Sequence, residues 1–366
     1  MQALQRFEIN EESASDYRMI ESITLENFRC YEYVTLRDLK TVNVVVGRNG
    51  SGKTALLEAI YFTLGSPALS FKLRLWRGLG SQLHYSESTA TRSGIWRDLF
   101  YNFDQDRTVK ITFQGTADLA RSVKISCRKQ ETQFVSAKKG QPLISHIPPI
   151  TFEYFHAGQR LATVKPDFGG DGIQVTGTPE PLNGSFFPSV LPIDPQETAA
   201  HFSNLSKRGK EKPVVEALRV LFPMVESLSL ELNANAPMVY AAVKGIAEKV
   251  PVGLVSTGVS KMLACLVAIA NQQNGVIIID EIENGLYYER MGQAWRVLLS
   301  FCRDNNVQLF ASTHSSECLG ALENVLSEQP EEFSLIRSVQ TDTGCNLRHF
   351  QGKQFLSALE EDVEVR

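Results

Sequence analysis

Segments that would take a protein into or across a membrane are missing from this sequence. The N-terminal stretch MQALQRFEINEESASDYRMIES is polar and acidic, and it lacks the apolar core of a signal peptide. No run of about 18 apolar residues occurs farther along the chain. We therefore predict neither secretion nor a membrane partner, and we predict a location in the cytoplasm.

Cysteine patterns typical of a disulfide framework or a zinc site are also missing. The six cysteines are scattered along the chain, and no two of them form a CxxC pair. Cys265 and Cys302 fall within apolar runs with a helical pattern. This usage indicates buried thiols in a reducing compartment.

The sequence has neither an excess of positive charge nor sustained heptads. Lys and Arg number 37 against 41 Asp and Glu, so the net charge of −4 does not indicate a chain built to bind polyanions. Two local basic clusters remain, KLRLWR at 72–77 and SKRGKEK at 206–212. Each is either a solvated surface or a contact with nucleic acid.

What is present is enough apolar material for a sizeable core. The 366 residues are 43% apolar and 21% charged, which fits one large or two ordinary globular domains. RTVKITFQG and ARSVKISCRK alternate like the strands of an antiparallel ribbon. The proline-rich stretch 163–197 indicates an irregular insertion, and PVVEALRVLFPMVESL has a helical pattern.

The stretch GRNGSGKT at 47–54 matches the phosphate-loop pattern G-x-x-x-x-G-K-[ST]. It follows TVNVVV, a run typical of a strand buried on both faces, and it opens the helical pattern KTALLEAIYFTLG. Its glycines allow successive N–H groups to surround phosphate oxygens at a helix N-terminus. We predict that Lys53 reaches the β- and γ-phosphates of ATP and that the Thr54 hydroxyl meets Mg²⁺. The predicted phosphate-binding residues are Asn49, Gly50, Ser51, Gly52, Lys53 and Thr54.

The stretch GVIIIDEIENG predicts a second buried strand that ends on acidic residues. Because ligands of open α/β sheets lie at the carboxyl ends of strands, Asp280 is placed to hold Mg²⁺ through water. Glu281 is the natural base for the attacking water. Glu283 is either a charged surface residue or a support for the site.

A third strand, VQLFAST, is predicted one helix later and leads to His314. A lone histidine after a strand is more often structural than catalytic. The position of this strand next to the Asp280 strand nevertheless favours a residue that senses the γ-phosphate.

Taken together, these three motifs resemble the ATP-binding-cassette (ABC) class of ATPases. Within that class, ITLENFRCYEYVTLRDLKTVNVVVGRNGSGKTALLEAI is similar to the RecF/SMC/OLD group, and IDEIENGLYYE with QLFASTHSSE looks most like OLD-type ATPases of anti-phage systems such as the PARIS ATPase subunit. The resemblance covers residues 20–65 and 250–320. Family members often carry His where this chain has Tyr287.

The resemblance implies a fold and further site residues. The fold is an α/β ABC-ATPase head with a mixed or parallel P-loop sheet, an antiparallel β subdomain and a helical or irregular insertion. LVSTGVSKML stands where the class has its signature, so Ser256 and Gly258 are expected to contact ATP held by a partner subunit; Ser256 as a plain helix cap is the alternative. Gln159 is the candidate for the glutamine loop, or else an ordinary polar loop residue.

The predicted organisation has four parts. Residues 1–19 form an N-terminal extension, and 20–160 form a first ATPase lobe with the phosphate loop and the antiparallel ribbon. Residues 161–250 are the insertion, and 251–366 are a second lobe with the signature, the acidic strand and His314. The segment after His314 leaves no room for a nuclease domain and lacks acidic clusters for its metals, so a nuclease is expected only as a separate partner.

The function implied is an Mg²⁺-dependent ATPase that forms a homodimer or a higher homo-oligomer around ATP. It would act as a switch for a partner effector, a nuclease, in bacterial anti-phage defence. The alternative is a RecF/SMC-like DNA-binding ATPase of DNA repair or recombination. A transporter subunit is disfavoured because Ser-Thr-Gly-Val-Ser departs from that signature. Glu281 disfavours a scaffold with a dead site, although it does not disfavour slow turnover.

Overall fold

The computed structural model describes residues 19–64, 96–117, 119–127, 133–135, 143–145, 150–166, 173–177, 182–189 and 193–360. The strands are β1 (Ile20–Phe28), β2 (Tyr31–Leu36), β3 (Val42–Val46), β4 (Val109–Gly115), β5 (Ala120–Cys127), β6 (Gln133–Val135), β7 (Leu143–Ser145), β8 (Ile150–His156), β9 (Gln159–Pro166), β10 (Ile173–Gly177), β11 (Gly184–Phe187), β12 (Val225–Asn233), β13 (Ala236–Val243), β14 (Val250–Pro251), β15 (Val276–Ile279), β16 (Gln308–Thr313), β17 (Phe333–Gln340) and β18 (Cys345–Gln351). The helices are α1 (Lys53–Thr63), α2 (Pro195–Lys207), α3 (Lys212–Leu221), α4 (Val252–Val255), α5 (Thr257–Asn271), α6 (Met291–Asp304), α7 (Ser316–Glu328) and α8 (Gly352–Glu360).

The central sheet has six strands in the order β11-β15-β16-β3-β17-β18. Its first five strands are parallel, and β18 is antiparallel to β17. Every residue of β3, β15 and β16 is buried. Such complete burial is typical of parallel strands that are covered on both faces. The mixed, mainly parallel P-loop sheet is therefore confirmed.

Successive side chains of a strand point to opposite faces of a sheet, so each face of this sheet packs in a separate core. Val45, Ile278 and Phe310 pack with α1 and the antiparallel sheet in one core. Val44 and Ile279 pack on the other face, in a core that includes the buried sides of α2, α3, α5, α6 and α7. The phosphate loop lies at the junction of β3 and α1.

The predicted antiparallel subdomain is a seven-stranded sheet with the order β10-β9-β8-β5-β4-β1-β2. Ile20 at the start of β1 pairs with Gly115, while Phe28 at its end bridges to Phe100. The two ends of β1 therefore mark the two ends of this sheet along the strand direction. Among the described residues, no helix is long and apolar enough to cross a membrane.

Three boundaries differ from those expected from the sequence. The stretch 163–197 is not wholly irregular, because Gly184–Phe187 forms β11 and pairs with β15 inside the central sheet. The boundary at residue 160 cuts through β9, which is hydrogen-bonded to both β8 and β10. The helix expected through Leu228 ends at Leu221, because Pro223 follows and β12 then begins.

The basic clusters and the N-terminal extension are only partly visible. KLRLWR and residues 1–18 lie outside the described residues. SKRGKEK spans the end of α2 and the start of α3, and its lysines and arginine are exposed.

Candidate functional site

The phosphate loop connects β3 to α1 and uses backbone angles that favour glycine. Gly47, Gly50 and Gly52 have φ angles of 146°, 80° and 103°. A Cβ at Gly52 would lie 2.7 Å from Cys30 Sγ, whereas a Cβ at Gly50 would meet nothing within 4 Å. Gly52 is therefore required both by its conformation and by close packing, and the space beside Gly50 is open for a ligand.

Lys53 is held across this loop. The residue is only 8% exposed, and Nζ donates to the carbonyl oxygens of Gly47 at 2.7 Å and Arg48 at 3.1 Å. Burial lowers the pKa of Lys53, and the nearby carboxylates of Asp280 and Glu281 oppose that shift. The loop thus holds a cation where the sequence places phosphate binding.

Asp280 follows β15 and collects hydroxyl groups from three other segments. Its Oδ2 accepts a hydrogen bond from Thr54 Oγ1 at 3.1 Å and one from Ser189 Oγ at 3.4 Å. Its Oδ1 accepts a bond from Ser312 Oγ. Hydroxyl and carboxylate oxygens are the ligands that Mg²⁺ prefers, so this donor set fits the predicted ion.

Ser189 is a site residue that the sequence reasoning missed. It lies just beyond β11, and Asp280 N donates to Phe187 O at 2.9 Å, which places the end of β11 beside the acidic residues. The available signal was the pair Phe186–Phe187, with the polar Ser189 two residues later. Its position in a proline-rich stretch concealed that signal.

Glu281 has an unusual backbone conformation for a residue other than glycine. Its φ is 50°, in the left-handed region. Its N–H donates to Ser312 Oγ at 2.9 Å, and its Oε2 accepts a bond from Asn284 Nδ2 at 2.8 Å. The carboxylate is therefore oriented by the segment that follows it, while its side chain stays 32% exposed.

His314 is joined to the acidic segment through Glu283. Its backbone N–H donates to Glu283 Oε1 at 3.0 Å, and its Nδ1 lies 3.0 Å from the same oxygen. Nδ1 lies 3.8 Å from Glu281 Oε1. Of the two interpretations of Glu283, this geometry favours a support for the site, since Glu283 fixes where His314 stands.

A cleft of 960 Å³ opens over the phosphate loop, which is room enough for a nucleotide. Within the described part of the chain, Arg29, Phe100, Phe103, Thr343 and Gly344 form part of its wall. The predicted site residues that line it are Asn49, Gly50, Gly52, Lys53, Thr54, Asp280 and Glu281. Ser51 is buried within the loop. The described lining includes neither His314 nor Gln159, Ser256 or Gly258.

Ser256 and Gly258 lie at the N-terminus of α5. Ser256 is the N-cap, and its side chain accepts a bond from Val259 N at 3.1 Å. A Cβ at Gly258 would lie 1.9 Å from the carbonyl oxygen of Gly285, so only glycine fits there. The capping role of Ser256 is thus present, and a contact with ATP of a partner subunit stays a prediction.

Gln159 is placed far from these residues along the antiparallel sheet. It pairs with His156 at the tip of the β8–β9 hairpin and is exposed. His156 pairs with Arg121, which lies at the end of the sheet where β1 begins. The cleft is walled instead by Arg29 and Cys30, which follow the end of β1. The structure does not bring Gln159 to the phosphate loop.

Comparison with known proteins identifies the family. The family described as the RecF/RecN/SMC N terminal domain matches residues 19–332. The chain belongs to this RecF/RecN/SMC family. The predicted membership in the RecF/SMC group of ABC-type ATPases is therefore confirmed, and the OLD-like subtype stays a prediction.

Individual relatives and solved structures match this chain to different extents. An ATP/GTP phosphatase of Helicobacter pylori is 24% identical over 348 residues, which cover 85% of this chain and 89% of that protein. A DNA replication and repair protein RecF of Pseudoalteromonas translucida is 49% identical over 43 residues, or 12% of each protein. A solved Smc head domain bound to the C-terminal domain of ScpA, derived from Pyrococcus furiosus, has a TM-score of 0.49 and 12% identity, covering 94% of this chain and 100% of that one.

Proposed function

We propose that this chain is an ATPase that hydrolyses ATP with Mg²⁺ between two copies of itself. The observation that carries the proposal is the convergence of Lys53, Thr54, Asp280 and Glu281 on one cleft, with Thr54 Oγ1 3.1 Å from Asp280 Oδ2. The relative named ATP/GTP phosphatase, similar over 85% of the chain, supports nucleoside triphosphate hydrolysis.

Each residue of the cleft has a distinct role in this proposal. Lys53 neutralises charge on the β- and γ-phosphates, and Glu281 orients or deprotonates the attacking water. Thr54, Asp280 and Ser189 would hold Mg²⁺, which supplies neutralisation of the phosphate oxygens when bound. His314, positioned by Glu283, steadies the γ-phosphate.

The proposed dimer is supported by the absence of Ser256 and Gly258 from the described lining of the cleft. Ser256 and Gly258 carry a capped helix N-terminus, which favours an anion, yet they are absent from the described lining of the cleft. In the proposed dimer they contact ATP held by the other chain. Hydrolysis is then coupled to assembly.

The effector switch is the finer part of the proposal. It is supported by the likeness of IDEIENGLYYE and QLFASTHSSE to OLD-type ATPases of anti-phage systems. The partner would be a separate nuclease. Co-expression with the protein of the neighbouring reading frame, followed by assays with and without ATP, tests it: a complex whose nuclease activity follows the nucleotide supports the switch, and independent behaviour contradicts it.

A DNA-binding ATPase is the second candidate. The local likeness to the RecF protein, 49% over 43 residues, favours it. Duplex binding by the isolated chain, measured at several salt concentrations, distinguishes the two. Binding that weakens steeply with salt supports a DNA-binding function, and no binding at low salt contradicts it.

Removing the Lys53 ammonium tests the ATP site itself. In Lys53→Ala we expect ATP turnover to fall by about 100-fold or more, because the transition state loses a positioned positive charge. Steady-state phosphate release at saturating Mg²⁺ measures it. The control is Lys212→Met, which changes a lysine whose side chain is 82% exposed on α3. Turnover unchanged in Lys53→Ala would place the activity elsewhere.

Removing the Ser189 hydroxyl tests its role at the metal. In Ser189→Ala we expect the Mg²⁺ concentration for half-maximal turnover to rise about twofold to tenfold, as the loss of one hydrogen bond implies. A Mg²⁺ titration at fixed ATP measures it. Gln159→Ala is the matched control, because Gln159 is exposed on a hairpin tip. Equal Mg²⁺ dependence in both variants would exclude Ser189 from the metal site.

A further inference from the structure

Lys261 is a buried cation on the otherwise apolar helix α5. It lies within two turns of the N-cap Ser256, and the residue is 8% exposed. An ammonium group removed from water requires an acceptor. Nζ donates to the backbone carbonyl oxygen of Glu281 at 2.6 Å. The helix that carries the signature is therefore bonded to the main chain of the proposed catalytic residue.

With this bond, both the N–H and the carbonyl oxygen of Glu281 are hydrogen-bonded. The N–H of Glu281 is held by Ser312 Oγ at 2.9 Å, and its carbonyl is held by Lys261. Its left-handed φ of 50° is costly for a residue with a side chain and persists only where surroundings fix it. Without Lys261, one of the two backbone restraints on this conformation is lost.

A second contact joins the same helix to the same loop. We call Glu281–Gly285 the acidic loop. Gly285 has a φ of 83°, and a Cβ there would lie 2.8 Å from Gly258 N. Helix α5 therefore contacts both ends of the acidic loop: Lys261 contacts Glu281 at its start, and Gly258 contacts Gly285 at its end. Because these groups are in van der Waals contact with no free space between them, a displacement of α5 must displace the acidic loop.

The charges around Lys261 fit a bond to this loop. Burial lowers the pKa of Lys261, and Glu283, Asp280 and Glu281 are among the groups that oppose the shift. The cation thus offsets part of the repulsion among three carboxylates that lie close in sequence. The bond combines this attraction with a fixed direction.

We propose that Lys261 is a positioning residue that makes each Glu281 depend on the nucleotide bound by the partner chain. The proposal rests on the ATP-sandwich dimer of the proposed function. ATP held by the partner contacts Ser256, and Lys261 transmits this contact along α5 to the Glu281 of its own chain. That Glu281 serves the ATP on its own Lys53, so the two sites of the dimer are coupled.

Mixed dimers with a different tag on each chain test this coupling. One chain is wild type, and its partner carries either Glu281→Gln, which retains ATP, or Lys53→Ala, which weakens its binding. We expect single-turnover hydrolysis in the wild-type chain to be about 5- to 150-fold faster beside the Glu281→Gln partner, the usual range for coupled sites. Equal rates would overturn the proposal.

Substitution of Lys261 in the hydrolysing chain tests whether Lys261 transmits the coupling between the two sites. With Lys261→Met the ratio of the two rates is expected to fall to within about twofold of one, and Lys261→Arg, which keeps a charged donor, is expected to restore it. Lys249→Met is the control, since Lys249 donates to Ser229 on the surface of another sheet. A ratio in Lys261→Met equal to that of wild type would overturn the proposal.

Folding and the proposed function are checked separately. If Lys261→Met unfolds, Lys261→Gln replaces it, with thermal unfolding measured for both, and a preserved ratio in Lys261→Gln likewise overturns the coupling. Failure of the wild-type homodimer to hydrolyse ATP would instead overturn the proposed function. Hydrolysis with equal rates in both mixed dimers leaves that function standing and removes the coupling.

Discussion

Replacing Glu281 with glutamine is expected to lower ATP turnover by about 100-fold to 10,000-fold, the usual contribution of a general base. The side chain keeps its size, and the backbone bonds to Ser312 and Lys261 do not depend on the carboxylate. ATP binding should therefore persist. Because the chain then cannot reset by hydrolysis, an ATP-bound dimer should accumulate.

Two measurements check the Glu281→Gln prediction. Steady-state phosphate release gives the loss of turnover, and size-exclusion chromatography with ATP and Mg²⁺ shows the dimer. Glu289→Gln is the matched control, because Glu289 is exposed on the turn before α6 and lies outside the described lining of the cleft. Turnover equal to that of the control would exclude Glu281 as the base.

The second large effect is expected at Ser256. A bulky arginine in Ser256→Arg should block the contact with ATP of the partner chain, so ATP-driven association is lost and turnover falls by about tenfold or more, the effect of about 1.4 kcal/mol. Ser256 is absent from the described lining of its own cleft, so ATP affinity should stay within about threefold of wild type. Binding of a fluorescent ATP analogue and sedimentation with ATP separate the two effects.

The lost helix cap is a competing cause in Ser256→Arg, worth about 0.5–2 kcal/mol of stability. Ser256→Ala removes the same bond to Val259 N without adding bulk, so it reports the capping effect alone. Association lost in Ser256→Arg and retained in Ser256→Ala supports the contact. Normal association and hydrolysis in Ser256→Arg would leave Ser256 as a helix cap and nothing more.

The predictions that hold in the structure rest on contiguous residues. VNVVV was expected to be a strand buried on both faces, and VIII and QLFAST were expected to be buried strands; every residue of all three is buried. The phosphate loop was expected between a strand and a helix and lies there, with left-handed or extended glycines where the pattern requires them. Such features depend on local backbone preferences and on periodicity, which a sequence displays directly.

Two segments could not be placed from the sequence, because their positions depend on distant partners. Gly184–Phe187 was included in an irregular insertion, because four residues among prolines show little periodicity. Its identity as a strand comes from pairing with β15, about ninety positions along the chain. Gln159 was the candidate for the glutamine loop, with an ordinary polar loop residue as the alternative, and the register of β8 and β9 sets it at the end of the antiparallel sheet where β1 begins.

By itself, the sequence determined the phosphate loop, the acidic strand end and the order of the motifs, because each lies within one short segment. Only the tertiary structure decided that Ser189 meets Asp280 and that Lys261 reaches the carbonyl of Glu281. Serine and lysine carry no local signal for these contacts. The contacts follow from the order of parallel strands and from the packing of α5, which are set by long-range burial of apolar surface.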